Sequence, residues 1–565
     1  MLKIYKSDFA VVQANLDLRS ALVAVNKAAK SKRFKGFGVV LDKNKKYIGV
    51  LTDGDLRRLS ISNVDVSDGI AKYVSSESVF LTDDEISDGV IIEVLSRKLS
   101  ASKKDISFIP VIDDDGYLLG VLDSAEYSMA QKVAVYGLGF VGITLSGFLA
   151  ASGVSVIGVD VNEDLIRDLK NGVMHVREPG LPELVAHSLR IGNLTLDISL
   201  ESLRPDVHIV TVGTPVNSDG QVNDRALREV ISSIGLILKP NDLVILRSTV
   251  PMGTTRKFVI PMLEKLSGLN AGLEFFVAFA PERTVEGDAI RELRELPQII
   301  GGFSSACTKV TYDFWNELSG VVVVVVESLE AAELVKLANN SFRDLSFAFS
   351  NQIGLLAEEV NIDAFDLISK ANAGYPRNKI PLPSPGVGGY CLTKDPYLLE
   401  SSIPVGSRIP IHSLARNIND RAALMPINKL EKHASRINKK MADLTVMVVG
   451  IAFKGLPETN DIRGSCAVDL INELVARSMK VRVWDAVVSS DELCSLGFDA
   501  VNNLACLNND IDAVLVMNNH PDNRQVEVSL SGCKDVLIFD GWHTLDKELV
   551  QRTDNLYYST IGYMD

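Results

Sequence analysis

The sequence KVAVYGLGFVG, residues 132–142, indicates the architecture of the middle of the chain. An apolar strand runs into three glycines, a helical pattern follows over residues 143–151, and a second apolar strand over 154–159 ends at Asp160. Glycines at this spacing allow a tight turn and let a pyrophosphate approach a helix N-terminus closely. The order of strand, glycines, helix and strand therefore predicts a doubly wound, parallel α/β sheet that binds a dinucleotide.

The residues of this motif also predict which dinucleotide binds. An acidic residue about 20 positions after the glycines suits the ribose hydroxyls of NAD. The carboxylate of Asp160 would repel the 2′-phosphate of NADP, so NAD is the predicted cofactor. The predicted contacts come from Gly137, Gly139, Phe140, Val141, Gly142 and Asp160.

A second stretch, PGVGGYCLTKD at residues 385–395, carries the candidate nucleophile. Cys391 follows a run of glycines that leaves few side chains to block a substrate. The cation of Lys394 favours thiolate, the nucleophilic form of cysteine, and the carboxylate of Asp395 could hold or deprotonate a water. A free cysteine more often packs as a small hydrophobe, but a purely structural cysteine does not need so much bare backbone beside it.

A nicotinamide site combined with an activated cysteine suggests a particular reaction. Loss of a hydride turns an alcohol into an aldehyde, which the thiolate can trap as a thiohemiacetal. Loss of a second hydride gives a thioester, and water then releases the acid. One active site would thus convert an alcohol to a carboxylate with two NAD.

Residues 131–565 resemble a nucleotide-sugar 6-dehydrogenase of the UDP-glucose and GDP-mannose dehydrogenase family. The order and spacing of the motifs fit the family over this whole range, which implies four-electron oxidation of the C6 alcohol of a nucleotide sugar. The matching segments are GLGFVG at 137–142, VGTP at 212–215, STVPMGTT at 248–255, PERTVEG at 281–287, ELVKLANN at 333–340, GVGGYCLTKD at 386–395, and GIAFKG with DIR within 450–463.

The resemblance assigns catalytic roles around Cys391, which matches the family nucleophile. Lys336 and Asn340 lie four residues apart on a predicted helix, so both project from one face. The family uses this pair to stabilise the oxyanion at the reacting carbon. A lysine considered alone is more often a solvated helix charge, and its pairing with Asn340 favours the catalytic role. The remaining matches are Thr249, which positions water and contacts the cofactor, Asp395, which holds water, and Glu282, which assists thioester hydrolysis.

The same resemblance implies further cofactor contacts. Glu286 matches a residue near the nicotinamide, and Thr214 lies in a matching segment beside the cofactor. Arg463, in the DIR segment, matches an arginine that reaches the cofactor. A cation at this position suits a diphosphate.

Substrate contacts are implied at Lys454, Gly388 and Gly389. The lysine matches a family residue that contacts the substrate. Arg377 falls near a family arginine that reaches the substrate of a neighbouring subunit. Its spacing to Cys391 is shorter than in the UDP-glucose branch, and an ordinary surface arginine is the alternative.

Two segments indicate the branch of the family. The UDP-glucose branch usually has Pro-Glu-Phe-Leu where this chain has Pro-Glu-Arg-Thr at 281–284, and residues 339–344 read NNSFRD. Both resemble the branch that oxidises UDP-N-acetylmannosamine, UDP-N-acetylglucosamine or UDP-N-acetylgalactosamine, with the acid serving bacterial-type surface polysaccharide synthesis. No physical feature of the sequence identifies the sugar.

Two alternatives remain open at this point. One is a UDP-glucose 6-dehydrogenase with the same chemistry, and the other is a nucleotide-sensing regulator that keeps the fold without catalysis. The complete set of catalytic matches disfavours the regulator, because a sensor has no need of a nucleophile.

The N-terminal region contains a near-repeat. Residues 38–42 lead to 47–53, and residues 108–113 lead to 118–123, each as strand, acidic turn and strand. The pattern is similar to a tandem CBS-domain pair, which commonly binds adenine nucleotides. By that resemblance Thr52 and Asp55 would hold a ribose. A docking or dimer-forming module without ligand is the alternative.

Composition agrees with a large cytoplasmic enzyme. A net charge of -14 makes nucleic acid an improbable partner, and six scattered cysteines argue against a disulfide framework or a metal site. No run of 18 apolar residues suggests a membrane span, and the first residues open no signal peptide. We expect a homodimer or a higher homo-oligomer.

The chain is expected to divide into four parts. These are a CBS pair over 1–129, an NAD-binding Rossmann domain over 130–325, a central helical region for dimerisation and catalysis over 326–435, and a C-terminal, UDP-sugar-binding Rossmann-like domain over 436–565. A strand over 321–326 and a long helix over 329–361 would open the central region. Two doubly wound sheets joined by helices place a ligand cleft between them.

Overall fold

The computed structural model forms two compact units, Met1–Gln131 and Lys132–Asp565. The predicted boundary between residues 129 and 130 lies outside the described residues. Those described are 4–7, 9–28, 34, 36–62, 69–74, 79–83, 85, 108–123, 131–199, 204–216, 222–318, 320–407, 410–506, 510–530, 533 and 535–565.

The first unit contains two matching β-hairpins. Strand β3 (Phe37–Leu41) pairs antiparallel with β4 (Tyr47–Thr52), and β6 (Phe108–Ile112) pairs antiparallel with β7 (Leu118–Asp123). Each hairpin shifts register at the last residue pair of its first strand, so the near-repeat in the sequence is confirmed at this level. The other elements are β1 (Ile4–Tyr5), β2 (Ala10–Gln13), α1 (Leu18–Ala28), α2 (Asp53–Ile61) and β5 (Leu81–Thr82).

Aromatic side chains join the two hairpins. The ring of Phe108 lies 4.9 Å from that of Phe34 and 5.1 Å from that of Phe37, between ring centroids. The backbone N–H of Tyr47 also donates to the carbonyl of Gly116 at 2.9 Å. The two sheets of this unit, β1-β7-β6-β5 and β2-β3-β4, are therefore connected through a shared apolar cluster.

The second unit begins with an eight-stranded sheet in the order β10-β9-β8-β11-β12-β13-β14-β15. It is parallel except between β13 and β14. Its central strands are apolar runs, because helices cover both faces. The strands are β8 (Lys132–Tyr136), β9 (Ser155–Val159), β10 (Leu194–Asp197), β11 (Val207–Val210), β12 (Leu243–Leu246), β13 (Phe276–Phe279), β14 (Gln298–Gly302) and β15 (Val323–Val325).

The helices of this sheet alternate with its strands. The helix after the glycine motif begins at Phe140, earlier than predicted, because Gly139 already occupies the N-cap position. These helices are α3 (Phe140–Ala151), α4 (Glu163–Lys170), α5 (Leu181–Ile191), α6 (Arg225–Ile237), α7 (Ile260–Ser267), α8 (Ala289–Glu295) and α9 (Ser305–Asn316).

A long helix, α10 (Leu329–Glu359), connects the two halves of this unit, and its N-terminus is capped by the hydroxyl of Ser328. The predicted helix over 329–361 is confirmed, while the strand predicted over 321–326 is shorter and forms the sheet edge. Further helices are α11 (Ala364–Asn372), α12 (Asp395–Ser401), α13 (Ile411–Ala422) and α14 (Met425–Arg436).

The second sheet has the order β17-β16-β18-β19-β20-β21 and is parallel except for its last pair. Its elements are β16 (Thr445–Val449), α15 (Cys466–Ala476), β17 (Lys480–Trp484), α16 (Ser490–Ser495), β18 (Ala513–Val516), α17 (Gln525–Ser529), β19 (Val536–Asp540), α18 (Lys547–Arg552), β20 (Leu556–Thr560) and β21 (Tyr563–Met564).

Within the described part of the chain, every helix is too short or too polar to cross a bilayer. The same residues contain no group of three or more His, Cys, Asp or Glu side chains arranged to hold a metal ion.

Candidate active site

The glycine run before Cys391 packs against the loop that follows strand β16. The backbone N–H of Gly389 donates to the carbonyl of Gly464 at 3.2 Å. A β-carbon on Gly389, whose φ is +90°, would lie 2.8 Å from the ring of Phe453, and one on Gly388 would lie 2.6 Å from the Gly464 carbonyl oxygen. The glycines therefore allow two chain segments to touch, and contact between Gly388 or Gly389 and a substrate stays a prediction.

Four charged residues act on the thiol of Cys391. Its side chain is exposed, yet the protein packed around the sulfur raises the pKa of the thiol by desolvation. The positive charges of Lys336 and Lys394 lower this pKa, while the carboxylates of Asp395 and Glu286 raise it further. The predicted effect of a nearby cation is thus present, but the desolvation of the thiol is the larger effect, and the pKa of Cys391 is raised above its usual value.

The carboxylate of Asp395 connects helices α10 and α12. It is fully buried, and each of its oxygens accepts one hydrogen bond. Asn340 Nδ2 donates to Oδ2 at 2.6 Å, and Lys394 Nζ donates to Oδ1 at 2.8 Å. The structure therefore brings Lys336, Asn340 and Asp395 together around Cys391 as the sequence predicts, while their catalytic roles stay predictions.

Glu282, which follows strand β13, is buried against Arg247 at the end of β12. Arg247 Nη2 donates to Glu282 Oε2 at 2.5 Å. Burial alone would raise the pKa of Glu282, but the charge and hydrogen bond of Arg247, together with the hydrogen bond from the backbone N–H of Thr284, hold this pKa below its usual range. The charge of Lys336 acts in the same direction. Glu282 is therefore linked electrostatically to the lysine that acts on Cys391.

Thr214 and Thr249 lie next to each other beyond the ends of strands β11 and β12. The hydroxyl of Thr214 donates to the backbone carbonyl of Thr249. Thr214 is buried and Thr249 is half-buried. Both stand at the carboxyl edge of the sheet, where ligands of open α/β sheets bind.

Tyr390 is a site residue that the sequence reasoning missed. The Nζ of Lys394 lies 5.3 Å from the centroid of its ring, and the guanidinium carbon of Arg463 lies 5.1 Å from it. A β-carbon on Gly213 would lie 3.2 Å from the Tyr390 hydroxyl oxygen. In the sequence, only its position directly before Cys391 could have pointed to Tyr390. Tyr390, which directly precedes the nucleophile, thus lies against the loop of Gly213 and Thr214, where a cofactor contact is predicted.

Residues from the two sheets meet at Glu286. Lys454 Nζ donates to the backbone carbonyl of Glu286 at 2.6 Å, and the hydroxyl of Thr459 donates to its Oε2 at 3.1 Å. Burial and the charge of Asp461 raise the pKa of Glu286. Arg463 forms a bidentate pair with Asp461, with Nη2–Oδ2 at 2.7 Å and Nε–Oδ1 at 2.9 Å. Glu286, Arg463 and Lys454, which were predicted to contact the cofactor or the substrate, therefore form one cluster.

The glycine motif after β8 forms a cradle that fits a dinucleotide. Gly137 has φ +88°, and a β-carbon on Gly142 would lie 1.8 Å from the Gly137 carbonyl oxygen, so both positions require glycine. A β-carbon on Gly139 would have no neighbour within 4 Å, which leaves open space at the N-terminus of α3. Phe140 and Val141 form the first turn of that helix. These features fit the pyrophosphate of NAD at a helix N-terminus.

Asp160 lies at the end of β9, next to this cradle. Its Oδ2 accepts from the backbone N–H of Leu138 at 2.7 Å, and its Oδ1 accepts from that of Asn162 at 3.0 Å. The carboxylate is thus fixed in place beside the glycine turn, where its charge would face a cofactor ribose.

Three predicted residues lie outside this cluster. Arg377 is on an exposed loop, where its Nη1 donates to the hydroxyl of Tyr375 at 3.1 Å. Thr52 and Asp55 form a capping box at the start of α2, in which the Asp55 N–H donates to Thr52 Oγ1 at 3.2 Å and the Thr52 N–H donates to Asp55 Oδ2 at 3.0 Å. Arg58 Nη2 adds a contact of 2.5 Å to Asp55 Oδ1. The ribose-binding role of this pair stays a prediction.

Family sequence models match four segments of the chain. Three describe the UDP-glucose/GDP-mannose dehydrogenase family: its NAD binding domain matches residues 131–319, its central domain 330–421 and its UDP binding domain 447–547. The fourth, the CBS domain, matches residues 3–62, which contain the first of the two hairpins.

Individual proteins agree with these matches. The UDP-N-acetyl-D-mannosamine dehydrogenase of Pyrococcus horikoshii is 32% identical over 415 residues, covering 73% of this chain and 95% of the relative. The NDP-N-acetyl-D-galactosaminuronic acid dehydrogenase of Ralstonia solanacearum is 30% identical over 62% of this chain and 81% of the relative. The solved structure of a UDP-D-ManNAc dehydrogenase from Pyrococcus horikoshii superposes with a TM-score of 0.70 at 30% identity, covering 76% of this chain and 99% of that one.

Proposed function

The chain belongs to the UDP-glucose/GDP-mannose dehydrogenase family and is an NAD-dependent nucleotide-sugar dehydrogenase, and from this we propose that it oxidises the C6 alcohol of a UDP-N-acetylhexosamine to the uronic acid through a covalent intermediate on Cys391. The observation that carries this proposal is the convergence of Lys336, Lys394 and Asp395 on the Cys391 thiol. A cysteine with only a structural role does not need three charged side chains around it.

The overall reaction fixes the stoichiometry. Bound NAD accepts a hydride, and two equivalents balance the equation RCH₂OH + 2 NAD⁺ + H₂O → RCOO⁻ + 2 NADH + 3 H⁺. The aldehyde formed in the first oxidation stays in the site, because the Cys391 sulfur adds to its carbon and closes a thiohemiacetal. The second oxidation converts this adduct to a thioester.

The surrounding side chains support each step. The Cys391 thiol must lose its proton before it adds to the aldehyde, and the Lys336 charge favours that loss. The ammonium of Lys336 and the amide of Asn340 stabilise the negative oxygen on the reacting carbon. In hydrolysis, a water oxygen bonds to the thioester carbon, the carbon–sulfur bond breaks, and the sulfur regains a proton. We propose that the carboxylates of Glu282 and Asp395 orient that water.

The substrate class rests on two observations. One relative described above is named for UDP-N-acetyl-D-mannosamine and the other for an NDP-N-acetyl-D-galactosaminuronic acid, and the segment at 281–284 carries Arg283 and Thr284 after the glutamate. We propose that the acid product serves surface polysaccharide synthesis and that the enzyme is cytoplasmic. Cys307, Cys391, Cys466, Cys494 and Cys533 are free, which supports a reducing compartment.

A panel of nucleotide sugars tests the proposal. UDP-N-acetylmannosamine, UDP-N-acetylglucosamine, UDP-N-acetylgalactosamine and UDP-glucose are each supplied with NAD, while NADH absorbance and sugar consumption are followed. We expect two NADH per sugar and no free aldehyde with at least one N-acetyl sugar. A clear preference for UDP-glucose would overturn the substrate class, and one NADH per sugar would overturn the four-electron reaction.

Substitution of the nucleophile gives a second test. Cys391→Ser should lower acid formation by at least about 10³-fold, because a hydroxyl is a far weaker nucleophile at neutral pH. Cofactor binding, measured by fluorescence titration, should be retained. Cys494→Ser is the control, since Cys494 is an exposed free cysteine on helix α16. Acid formation at the normal rate by Cys391→Ser would exclude Cys391 as the nucleophile.

We also propose that the chain forms a homodimer through helix α10. Phe342, Phe349 and Leu356 follow one another at seven-residue intervals on this helix, and their exposed fractions are 71%, 55% and 58%. Such a stripe gains stability when a second copy covers it. Phe349→Glu should convert a dimer to a monomer in sedimentation velocity. Arg377 could then reach the partner's substrate, as the resemblance implies.

A further inference from the structure

The buried side chain of Arg247 contacts Glu282, the carboxylate that we propose orients the attacking water. The Arg247 side chain has no exposed surface, and its guanidinium carbon lies 5.1 Å from the ring centroid of Trp315. Its Nη2 contacts Glu282, and its Nη1 donates to Gln298 Oε1 at 3.0 Å. The contact with the Trp315 ring and the hydrogen bonds to Glu282 and Gln298 fix the guanidinium, so it presents a rigid positive charge to Glu282.

The rest of the contacts complete the orientation of Glu282. Its Oε1 accepts from the backbone N–H groups of Arg283 at 2.6 Å and Thr284 at 2.9 Å, while its Oε2 accepts from Arg247. The charged side chains acting on this carboxylate are Arg247 from the end of β12 and Lys336 from α10. The side chain of Arg283 itself turns away, since its Nη2 donates to the Pro297 carbonyl at 2.6 Å.

We propose that Arg247 is a positioning residue, which holds Glu282 ionised and in one orientation so that Glu282 can orient the water that hydrolyses the Cys391 thioester. This inference rests on the proposed function. A carboxyl group buried without a partner takes up a proton. A protonated Glu282 would lose the negative charge that favours the attacking water and the ammonium of Lys336.

The position of Arg247 in the chain also favours this role. Arg247 lies two residues before Thr249, which is predicted to position water. The segment after strand β12 therefore carries both Thr249 and the partner of Glu282. The alternative is an ion pair that only stabilises the fold. That alternative predicts equal slowing of every step at every pH, whereas a positioning role predicts a loss that is concentrated in hydrolysis and grows as the pH falls.

Three single variants and one double variant separate the two roles. In Arg247→Met the pKa of Glu282 should rise, and the acidic limb of the pH–rate profile for acid formation should move up by about one to three pH units. Quenched samples should then show the sugar thioester on Cys391 by intact-mass spectrometry, with more of it at low pH. Arg247→Lys should restore most of the wild-type profile because it returns the charge. In Glu282→Gln, adding Arg247→Met should leave the profile unchanged, because Arg247 acts through Glu282.

Controls keep the outcomes distinct. Arg256→Met is the matched control, because Arg256 also pairs with a glutamate, Glu330, and lies over an aromatic ring, that of Phe303; its profile should be unchanged. Equal slowing at all pH values in Arg247→Met, without thioester, would overturn the positioning role. So would a further shift on the Glu282→Gln background.

A measurement without substrate separates this inference from the proposed function. Infrared difference spectra between wild type and Glu282→Gln report the carboxylate band of Glu282 as pH is lowered. In wild type and in Arg247→Lys, we expect this band to persist at pH values below the usual pKa of a glutamate. If Arg247→Met folds poorly, Arg247→Lys and this titration still decide the matter, because a Glu282 that titrates normally in wild type would overturn the inference. A wild type that forms no acid would instead refute the proposed function.

Discussion

At the scale of single residues, the thiol of Cys391 shows how opposing effects set reactivity. Desolvation raises its pKa, while Lys336 and Lys394 lower it and two carboxylates raise it again. The net result is a thiol whose thiolate fraction grows as the pH increases through a raised pKa. A bound substrate or cofactor that changes the charge around the sulfur will therefore change the fraction of Cys391 that is thiolate.

Alkylation by iodoacetamide tests this conclusion without turnover. We expect the rate at Cys391, followed by peptide mass spectrometry, to climb about tenfold per pH unit from about pH 6 to 9. Lys394→Met removes a charge that lowers the pKa, so its curve should move to higher pH. Cys494 in the same samples provides an internal reference. A rate at Cys391 that is constant over this range would mean that the thiolate is already formed at neutral pH.

Asp160 supports a separate prediction at the same scale. Its carboxylate is held beside the glycine turn by the backbone N–H groups of Leu138 and Asn162. Replacing it with alanine in Asp160→Ala should reduce the preference for NAD over NADP by about tenfold or more, because repulsion of the 2′-phosphate disappears. Steady-state kinetics with both cofactors measures the ratio. Asp164→Ala, on the exposed face of α4, serves as control, and an unchanged ratio in Asp160→Ala would place the ribose elsewhere.

At the scale of elements, the glycine run before Cys391 joins the nucleophile loop to the second sheet. Gly389→Ala would force a β-carbon to within 2.8 Å of the Phe453 ring at φ +90°. We expect a loss of about 2–4 kcal/mol in unfolding free energy, from backbone strain and overpacking together, and a loss of acid formation. Gly374→Ala is the control, since Gly374 has φ +70° but its β-carbon would meet no atom within 4 Å. Equal effects of both variants would mean that backbone strain alone is responsible.

Elements with strong local patterns were predictable from the sequence, and contacts between distant segments were not. The buried strands of both sheets and helix α10 follow from apolar periodicity, which needs no knowledge of partners. The pairing of Arg247 with Glu282 joins the ends of neighbouring strands, β12 and β13, and no local pattern announces it. Tyr390 likewise gains its role from Arg463 and Lys394, which lie on different loops. The Thr52–Asp55 pair also forms a helix capping box that the sequence reasoning did not anticipate, and its ribose-binding role stays a prediction.

At the scale of the whole molecule, chemistry and the N-terminal module occupy different units of the chain. Every residue proposed for catalysis lies in the unit Lys132–Asp565. The other unit, Met1–Gln131, contains paired hairpins, the first of them within the match to the CBS domain. We propose that this module binds an adenine nucleotide and modulates the oxidation rate. The alternative function is that of an assembly surface.

Removing the module distinguishes these two functions. A fragment of residues 132–565 should fold and oxidise the substrate, because its own core clusters are complete without the first unit. If the module senses nucleotide, AMP or ATP should change the substrate affinity of the full chain by about 5–150-fold, and the fragment should not respond. Asp55→Ala should weaken the response, with Asp42→Ala as a control in the turn of the first hairpin. Calorimetry that detects no AMP or ATP binding to the full chain would refute sensing, and a smaller oligomer in the fragment would then identify the module as an assembly surface.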